Sequence, residues 1–225
     1  MIKPDYIIRS YRRTLCISIN KIGEIVVRAP KNLSMEQINK FLTDKESWIK
    51  LKKEQIQLKN NQNKSINNYE KILKLGKEYI REDMSGIRKI EWDSEKKRVY
   101  VPSLLSQAEF EKKMSKEFIK LSKEILLDRV YYFANLMSLN FASISIMNNR
   151  TRWGTCSKKG DLKFNWRLAM LKPETIDYLI IHELAHLIEF NHSKKFYKVV
   201  ECVMPKYKTQ INELKAKGFL LELYR

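Results

Sequence analysis

The eleven residues from His182 to His192 constrain this chain more than any other stretch, because they hold all three of its histidines. A helix turns about 100° per residue, so His182 and His186 share one helix face, with Cβ atoms about 6 Å apart. Two imidazoles at that spacing can reach one Zn²⁺ ion, and Glu183 between them can act on a water molecule that the ion activates. The pattern H-E-x-x-H therefore predicts a metal site on a helix.

His192 completes a three-ligand site only if the helix ends before it. An uninterrupted helix would carry His192 about 15 Å away from His182 and off the shared face. Asn191 tolerates the left-handed conformation found at helix C-termini, so we expect the chain to turn there. Three protein ligands leave a fourth position open, as catalytic zinc requires and structural zinc does not. The predicted ligands are His182, His186 and His192, and the predicted general base is Glu183.

Composition and charge limit the class of protein. With 225 residues, 44% of them apolar, and only 6 Gly and 5 Pro, the chain is suited to one large or two small folded domains. Its net charge is +18, from 44 Lys+Arg against 26 Asp+Glu, which suits nucleic acid or another polyanion as a partner. The lysines are spread along the whole sequence, as on solvated helix faces in general. Charge therefore keeps nucleic-acid binding open without locating a site.

Cysteine use and hydropathy indicate the compartment. Cys16, Cys156 and Cys202 are odd in number and lack C-x-x-C spacing, which favours free thiols in a reducing cytoplasm. The first residues begin no apolar run of signal-peptide length, and no uncharged stretch reaches the about 18 apolar residues of a membrane span. We expect a cytoplasmic protein with no membrane partner.

Residues 1–101 are predicted to form a β-rich region with helices. Strand-like runs over residues 6–29 indicate a hairpin, followed by Ser34 and Gln37, which form a capping box that opens a helix. The polar stretch 60–68 is typical of a flexible linker. Short strands separated by turn residues then continue to the end of the region.

Residues 102–225 are predicted to hold the metal core. Ser106 caps a long helix whose apolar residues recur every three or four positions. Strands over residues 143–147 and 162–168 then lead to Pro173, which opens the metal helix. An edge strand beside such a helix can hold an extended peptide by backbone hydrogen bonds.

Motifs beyond the histidines resemble those of the YgjP-like metal-dependent hydrolases, which look like relatives of the SprT-type and WLM-type zinc peptidases. The motifs are Arg152-Trp153-Gly154-Thr155-Cys156-Ser157, Asn165-Trp166-Arg167-Leu168, the His182–His192 stretch with Ser193 and Phe196, and Pro205 with Tyr207 and Lys208. The resemblance covers the whole chain and is strongest from residue 150 to 208. It implies an α+β fold with a minimal zincin-like core, a small antiparallel sheet plus the H-E-x-x-H helix. It also implies zinc at the three histidines and Glu183 as base. The ligand spacing matches the metzincin pattern as well, although Glu189 stands where that pattern has Gly.

Together these residues favour a zinc-dependent hydrolase, first of all a metallopeptidase that cleaves peptide bonds with a Glu183-activated water. The tetrahedral oxyanion of such a reaction needs a hydrogen-bond donor in addition to the metal. Arg152, Arg167 and Tyr207 are the candidate donors.

Two alternatives use the same residues. A nucleoside triphosphate pyrophosphatase would clamp phosphates with the arginines, and some members of the resembling family are described so, but no G-x-x-x-x-G-K-[ST] loop is present. A nucleic-acid-associated protein would use zinc only to hold the fold, which the charge favours and the open fourth position disfavours. Peptides or proteins, nucleotides and nucleic acid are thus the predicted partners, and the sequence leaves the oligomeric state open.

Overall fold

The computed structural model describes residues 2–20 and 22–224, and the chain forms two compact units, Met1–Asn68 and Tyr69–Arg225. Both units combine small sheets with helices, so the predicted α+β fold is confirmed. The predicted division after residue 101 lies inside the second unit, within the strand Arg98–Pro102, and stays a prediction. None of the described helices is long and apolar enough to cross a membrane.

The first unit is a three-stranded sheet followed by two helices. Its elements are β1 (Tyr6–Ser10), β2 (Cys16–Ile19), β3 (Ile25–Pro30), α1 (Met35–Asp44) and α2 (Glu46–Asn67). Strand β3 is central, and it pairs antiparallel with β2 and parallel with β1. The hairpin predicted over residues 6–29 is therefore correct for β2 and β3 only, because the chain after β1 crosses to the opposite edge of the sheet.

One face of this sheet packs on the helices. Alternate residues of β3 are buried against the apolar sides of α1 and α2, and together they form the core of the unit: Ile25, Val27, Ala29, Ile38, Leu42 and Ile49. The predicted capping box is confirmed, since the Gln37 backbone N–H donates to the Ser34 side chain and the Ser34 backbone N–H donates to the Gln37 side chain.

The linker predicted over residues 60–68 is wrong, because α2 continues through it to Asn67. The stretch contains neither Gly nor Pro, and the weak helix propensity of Asn is not enough to end an established helix. Ile66, which is 4% exposed, anchors the last turn in apolar surroundings.

The second unit begins with a four-stranded sheet and a long helix. The strands are β4 (Lys71–Lys74), β5 (Lys77–Met84), β6 (Glu91–Asp93) and β7 (Arg98–Pro102), in the order β4-β5-β7-β6, and the helix is α3 (Gln107–Leu136). Ser106 caps α3 through a capping box with Glu109, as predicted for this position. The apolar stripe of α3 is buried at Phe110, Met114, Phe118, Leu126, Val130 and Phe133.

The rest of the second unit carries the metal motif. Its elements are β8 (Ser143–Met147), β9 (Gly154–Cys156), β10 (Asp161–Asn165), α4 (Pro173–Ala185), α5 (Lys194–Val203) and α6 (Tyr207–Ala216), with short 3-10 helices at Trp166–Met170 and Gly218–Glu222. Strand β10 pairs antiparallel with β9 and parallel with β8, which leaves β9 at an edge. Helix α4 contacts β9, α3, α5 and α6, so the motif helix is surrounded.

The strand predicted over residues 162–168 ends at Asn165. The Asn165 side chain accepts a hydrogen bond from the backbone N–H of Arg167 at 3.1 Å and thereby opens the following 3-10 helix. The side chain acts as a helix cap, which favours helical over extended geometry for the residues after it.

Candidate metal centre

The three histidines converge, as their spacing predicts. One ring nitrogen of each of His182, His186 and His192 lies within 4.8 Å of the other two. Over residues 2–20 and 22–224 this is the one group of three or more His, Cys, Asp or Glu side chains so placed. The Nε2 atoms of His182 and His192 are 3.0 Å apart.

The chain returns to the site earlier than predicted. Helix α4 ends at Ala185 rather than near Asn191, and Asn191 does not adopt a left-handed conformation. The Ala185 carbonyl accepts hydrogen bonds from the N–H groups of both Ile188 and Glu189, at 3.1 and 3.0 Å, which tightens the chain into a turn. This turn, instead of an Asn cap, brings His192 back beside His182.

Two of the ligands are oriented by hydrogen bonds on their far side. The Tyr178 hydroxyl lies 3.3 Å from His182 Nδ1, and the Glu189 carbonyl oxygen lies 3.2 Å from His186 Nδ1. With Nδ1–H donating to these oxygens, both rings present their Nε2 lone pairs to the shared space.

The donor set fits a zinc ion. A separation of 3.0 Å between the Nε2 atoms of His182 and His192 allows the two nitrogens to share either a hydrogen or a cation. Nitrogens coordinated at about 2.0–2.1 Å around tetrahedral zinc lie about 3.4 Å from each other, close to this separation. The residues present are therefore those of a three-histidine site.

An aromatic ring forms the floor of the site. The Phe196 ring centroid lies 4.9 Å from that of His182, 4.6 Å from that of His186 and 4.9 Å from that of His192. Phe196 is completely buried at the start of α5, where Ser193 caps the helix. An apolar floor of this kind excludes water and strengthens electrostatic interactions at the ligands.

Burial keeps His182 and His186 neutral. Desolvation, helped by the neighbouring His186 and His192, lowers the pKa of His182 to about 3. Burial also lowers the pKa of His186. Both imidazoles are thus unprotonated at neutral pH, which is the form that binds a metal.

Glu183 faces the edge strand β9. Its side chain is 4% exposed, and burial raises its pKa to about 8. A methyl group added at Gly154 would come within 2.4 Å of Glu183 Oε1, so the carboxyl group lies directly on the β9 backbone. No described residue hydrogen-bonds this carboxylate, and neither oxygen is fully enclosed, which leaves it available to a water molecule.

The loop before β9 is held by two asparagines. Asn149 Oδ1 accepts from the Arg152 backbone N–H at 3.0 Å and from the Thr151 N–H and hydroxyl at 2.7 and 2.8 Å. The Asn165 amide donates to the carbonyls of Asn149 and Arg152 from the opposite side. Arg152 therefore has a rigid backbone and an exposed guanidinium that makes no ion pair with any residue that the structure describes.

Arg167 lies in a different setting from Arg152. Its guanidinium is 1% exposed and donates to the carbonyls of Leu223 and Tyr224 at 2.8 and 3.0 Å and to Asn148 Oδ1 at 2.7 Å. Burial, helped by the nearby Arg150, lowers its pKa to about 10. Its donors are occupied, so the contacts favour a structural role, and its assignment as an oxyanion donor stays a prediction.

Tyr207 belongs to a group of tyrosines beside the ligands. It opens α6, is 7% exposed, and stacks on Tyr197 with ring centroids 5.6 Å apart. Tyr197 in turn lies 6.3 Å from the His192 ring. Burial and the neighbouring Tyr197 and Tyr207 raise the pKa of Tyr178, which therefore stays a neutral hydroxyl. The Tyr207 hydroxyl has no hydrogen bond to a described residue and is not fully enclosed.

Comparison with known proteins identifies the family. A model of the YgjP-like metallopeptidase domain matches residues 13–217. The chain belongs to this family. The resemblance seen in the sequence motifs is thereby confirmed, and family membership supports a metal-dependent hydrolase acting on peptides.

Other comparisons add little to this assignment. The crystal structure of the metallopeptidase zymogen of Pyrococcus abyssi abylysin is 24% identical, with a TM-score of 0.39, and the match covers 41% of this chain and 93% of that one. No curated protein matches the sequence.

Two contributors to the YgjP-like site are not among the predicted residues. Tyr178 stands four positions before His182 on the same helix face, a spacing that can reveal it. Gly154 stands inside a strand, where glycine often marks a close backbone approach, but only the structure identifies Glu183 as the neighbour. Cys156 is close by, and burial, helped by Glu183 and Asp161, raises the pKa of its thiol to about 11, so it is no thiolate nucleophile.

The hydrogen bond from Tyr178 has a measurable consequence for metal binding. Removing the hydroxyl in Tyr178→Phe leaves His182 Nδ1 without its partner, and we expect zinc affinity to fall about 10- to 100-fold in chelator competition. Tyr197→Phe is the matched control, because its ring also contacts a ligand but its hydroxyl bonds none of them.

His186→Ala should lose stoichiometric zinc, and one retained equivalent would rule out the ligand assignment.

Proposed function

We propose that this chain is a zinc-dependent metallopeptidase in which His182, His186 and His192 hold the ion and Glu183 is the general base. Family membership supports a metallopeptidase, and the converging histidines supply a donor set for the metal. The observation that carries the mechanism is the position of Glu183, next to a ligand, buried, and against the backbone of an edge strand.

The chemistry divides between the metal and the chain. A bound zinc ion polarises the scissile carbonyl and lowers the pKa of water toward about 7. Glu183 accepts the proton of the attacking water at a carboxylate oxygen and delivers it to the nitrogen of the leaving amine. Such proton transfer contributes about 10²- to 10⁴-fold to the rate. The apolar floor at Phe196 excludes bulk water from this exchange.

Strand β9 supplies a surface for the substrate backbone. It pairs with β10 on one side only, so the other edge of Gly154–Cys156 can pair with an extended peptide. Because Glu183 lies against Gly154, a peptide bound to this edge passes close to the general base. Backbone pairing accounts for binding of peptides in general and does not define a preferred sequence.

We assign the oxyanion donor to Tyr207 in preference to Arg152. The Tyr207 ring is held by burial and by stacking on Tyr197, so its unbonded hydroxyl is preorganised, as electrostatic stabilisation of a transition state requires. Arg152 carries an exposed and longer side chain, which suits it to hold a carbonyl or carboxylate of the substrate. Arg167 has no free donor facing solvent and supports the loop instead.

Neither alternative function gains a specific observation at this site. A triphosphate needs several convergent cations, and the buried guanidinium of Arg167 is already bound to backbone carbonyls. A purely structural zinc would have four protein ligands, whereas three histidines converge in the described part of the chain. The cytoplasmic location stays a prediction, consistent with three free cysteines.

The proposed function is tested by Glu183→Gln. The amide is nearly isosteric but takes up no proton at neutral pH, so we expect full zinc content and a kcat at least about 10²-fold lower on a quenched fluorescent peptide library. Near-normal kcat with full zinc would remove Glu183 as the base. Absence of peptide cleavage by the zinc-loaded wild-type chain would contradict the metallopeptidase assignment itself.

The contact between Gly154 and Glu183 generates a second expectation. In Gly154→Ala the new methyl group displaces the carboxyl group, and a shift of about 1 Å at a catalytic group can cost about 10²-fold in kcat. Zinc content should be unchanged, because the three atoms nearest the new group all belong to Glu183, which is not a proposed ligand. Gly218→Ala is the matched control, since position 218 has open space around it and no positive φ. Equal kcat values for the two variants would show that Glu183 tolerates the displacement.

The two donor candidates are separated by steady-state kinetics. Tyr207→Phe should lower kcat about 10²-fold with little change in KM, because the lost hydrogen bond forms in the transition state. Arg152→Gln should mainly raise KM. The reverse pattern, a fall in kcat for Arg152→Gln alone, would transfer the donor role to Arg152.

A further inference from the structure

The open face of the sheet in the first unit carries side chains that the peptidase site does not use. Strand register places the outward residues in two rows across β1, β3 and β2. One row is Tyr6, Val26 and Ser18, and the other is Ile8, Arg28 and Cys16. The inward residues of the same strands are buried against α1 and α2. The sheet is thus covered on one side only.

This open face combines one aromatic ring, aliphatic side chains and one cation, and the Tyr6 hydroxyl donates to the Glu24 carboxylate at 3.4 Å. Tyr6 is 53% exposed and Ile8 is 47% exposed, with the exposed side chain of Arg28 beside Ile8 in the same row. Arg28 donates to the Ser18 hydroxyl at 2.9 Å, which lays its side chain across the sheet surface. If this face contacted only solvent, its outward positions would be expected to hold polar residues.

The segment after β1 extends the same chemistry. Tyr11 is 94% exposed, and Lys31 Nζ lies over one face of its ring, 3.9 Å from the centroid, which leaves the opposite face open. The exposed Arg13 has no ion pair with any described residue. Arg12 Nε is buried without a hydrogen-bond partner in the described part of the chain. Arg9 has a different role, because it donates to the carbonyls of Lys31 and Leu33 and fixes the neighbouring loop. The end of the strand is therefore rigid, and the Tyr and Arg side chains project beyond it.

Charge indicates the kind of partner. Residues 1–68 contain 14 Lys and Arg against 6 Asp and Glu, a net charge of +8. Among the described residues of this unit, the one ion pair is Lys50–Glu46 on α2, far from the sheet strands in sequence. The cations of the open face are consequently available to an anionic ligand.

We propose that this face binds single-stranded nucleic acid, with bases stacked on Tyr6 and Tyr11 and phosphates held by Arg28 and Arg13. Exposed aromatic rings beside cations on an open sheet are the arrangement with which proteins bind unpaired bases. Duplex bases are already stacked on each other, so the rings have nothing to stack on there. An acidic protein could also contact the tyrosines and the cations, and the comparison of single strands with duplex tests the nucleic acid specifically.

The proposal is tested on the whole zinc-loaded chain with fluorescein-labelled 12-nucleotide probes. Fluorescence anisotropy is measured for a mixed-sequence RNA, the same sequence as DNA, and the corresponding DNA duplex, at several salt concentrations. We expect both single strands to bind more tightly than the duplex, with affinity falling as salt rises. A preference between RNA and DNA identifies the sugar that the face contacts, and either preference supports the proposal.

Substitutions locate the binding to this face. Tyr6→Ala and Tyr11→Ala should each weaken binding about 5-fold or more, and Arg28→Gln should also reduce the salt dependence. Tyr131→Ala, an exposed tyrosine of the second unit, and Lys53→Gln, an exposed lysine of α2, are the matched controls and should change affinity less than about 2-fold. Circular dichroism melts verify that each variant is folded.

Several results would overturn the proposal. One is that no single strand binds at low salt, and another is that the duplex binds as tightly as the single strands. A third is that Arg28→Gln and Lys53→Gln lower the affinity equally while the tyrosine variants leave it unchanged. The last outcome would show attraction by net charge alone. Peptidase activity is not read in this experiment, so its result is independent of the function proposed for the metal centre.

Discussion

The metal centre depends on the position at which α4 ends. Because the helix stops at Ala185, the Glu189 carbonyl turns toward His186 Nδ1 instead of continuing the helical ladder. One further turn of helix would send that carbonyl to a backbone N–H and carry His192 away from His182. The same turn thus brings the third histidine of the proposed site beside the first and orients the second.

A second constraint is that the site is shielded from water and that the Glu183 carboxylate has no positive charge beside it. The Phe196 ring and the surrounding helices desolvate the ligands, and Glu183 is buried with no cation among its described neighbours. A buried carboxylate without a partner is unfavourable, which is why its pKa rises to about 8 in the absence of a metal ion. A cation held by the three histidines would favour the ionised form of Glu183, which is the form that the proposed general base requires.

What the sequence could predict is the part of the fold encoded by spacing along one element. The four-residue interval of His182 and His186, the caps at Ser34 and Ser106, and the Pro at the start of α4 depend on local geometry and are confirmed. The predicted end of α4 near Asn191 is wrong because Asn191 has the right propensity, whereas the turn forms earlier, through the hydrogen bonds to the Ala185 carbonyl and between the Glu189 carbonyl and His186.

The contributions that could not be predicted are those set by residues distant in the chain. Gly154 matters because the Glu183 carboxyl group fills the space that a side chain at position 154 would take. The two residues are brought together only by the packing of β9 on α4. The sequence predicts that Arg167 is a cation available for catalysis. In the structure its guanidinium donates to the carbonyls of Leu223 and Tyr224, more than fifty residues further along the chain. The linker prediction failed for a related reason, since Ile66 is buried by contacts that composition does not report.

The contacts of Arg167 also tie two distant parts of the chain together. The same guanidinium bridges Asn148, at the start of the loop before β9, to the carbonyls of Leu223 and Tyr224. Without those two acceptors the guanidinium would be buried with unsatisfied donors, which is unfavourable. A change in the segment around Leu223 and Tyr224 would therefore be transmitted to the loop that carries Arg152.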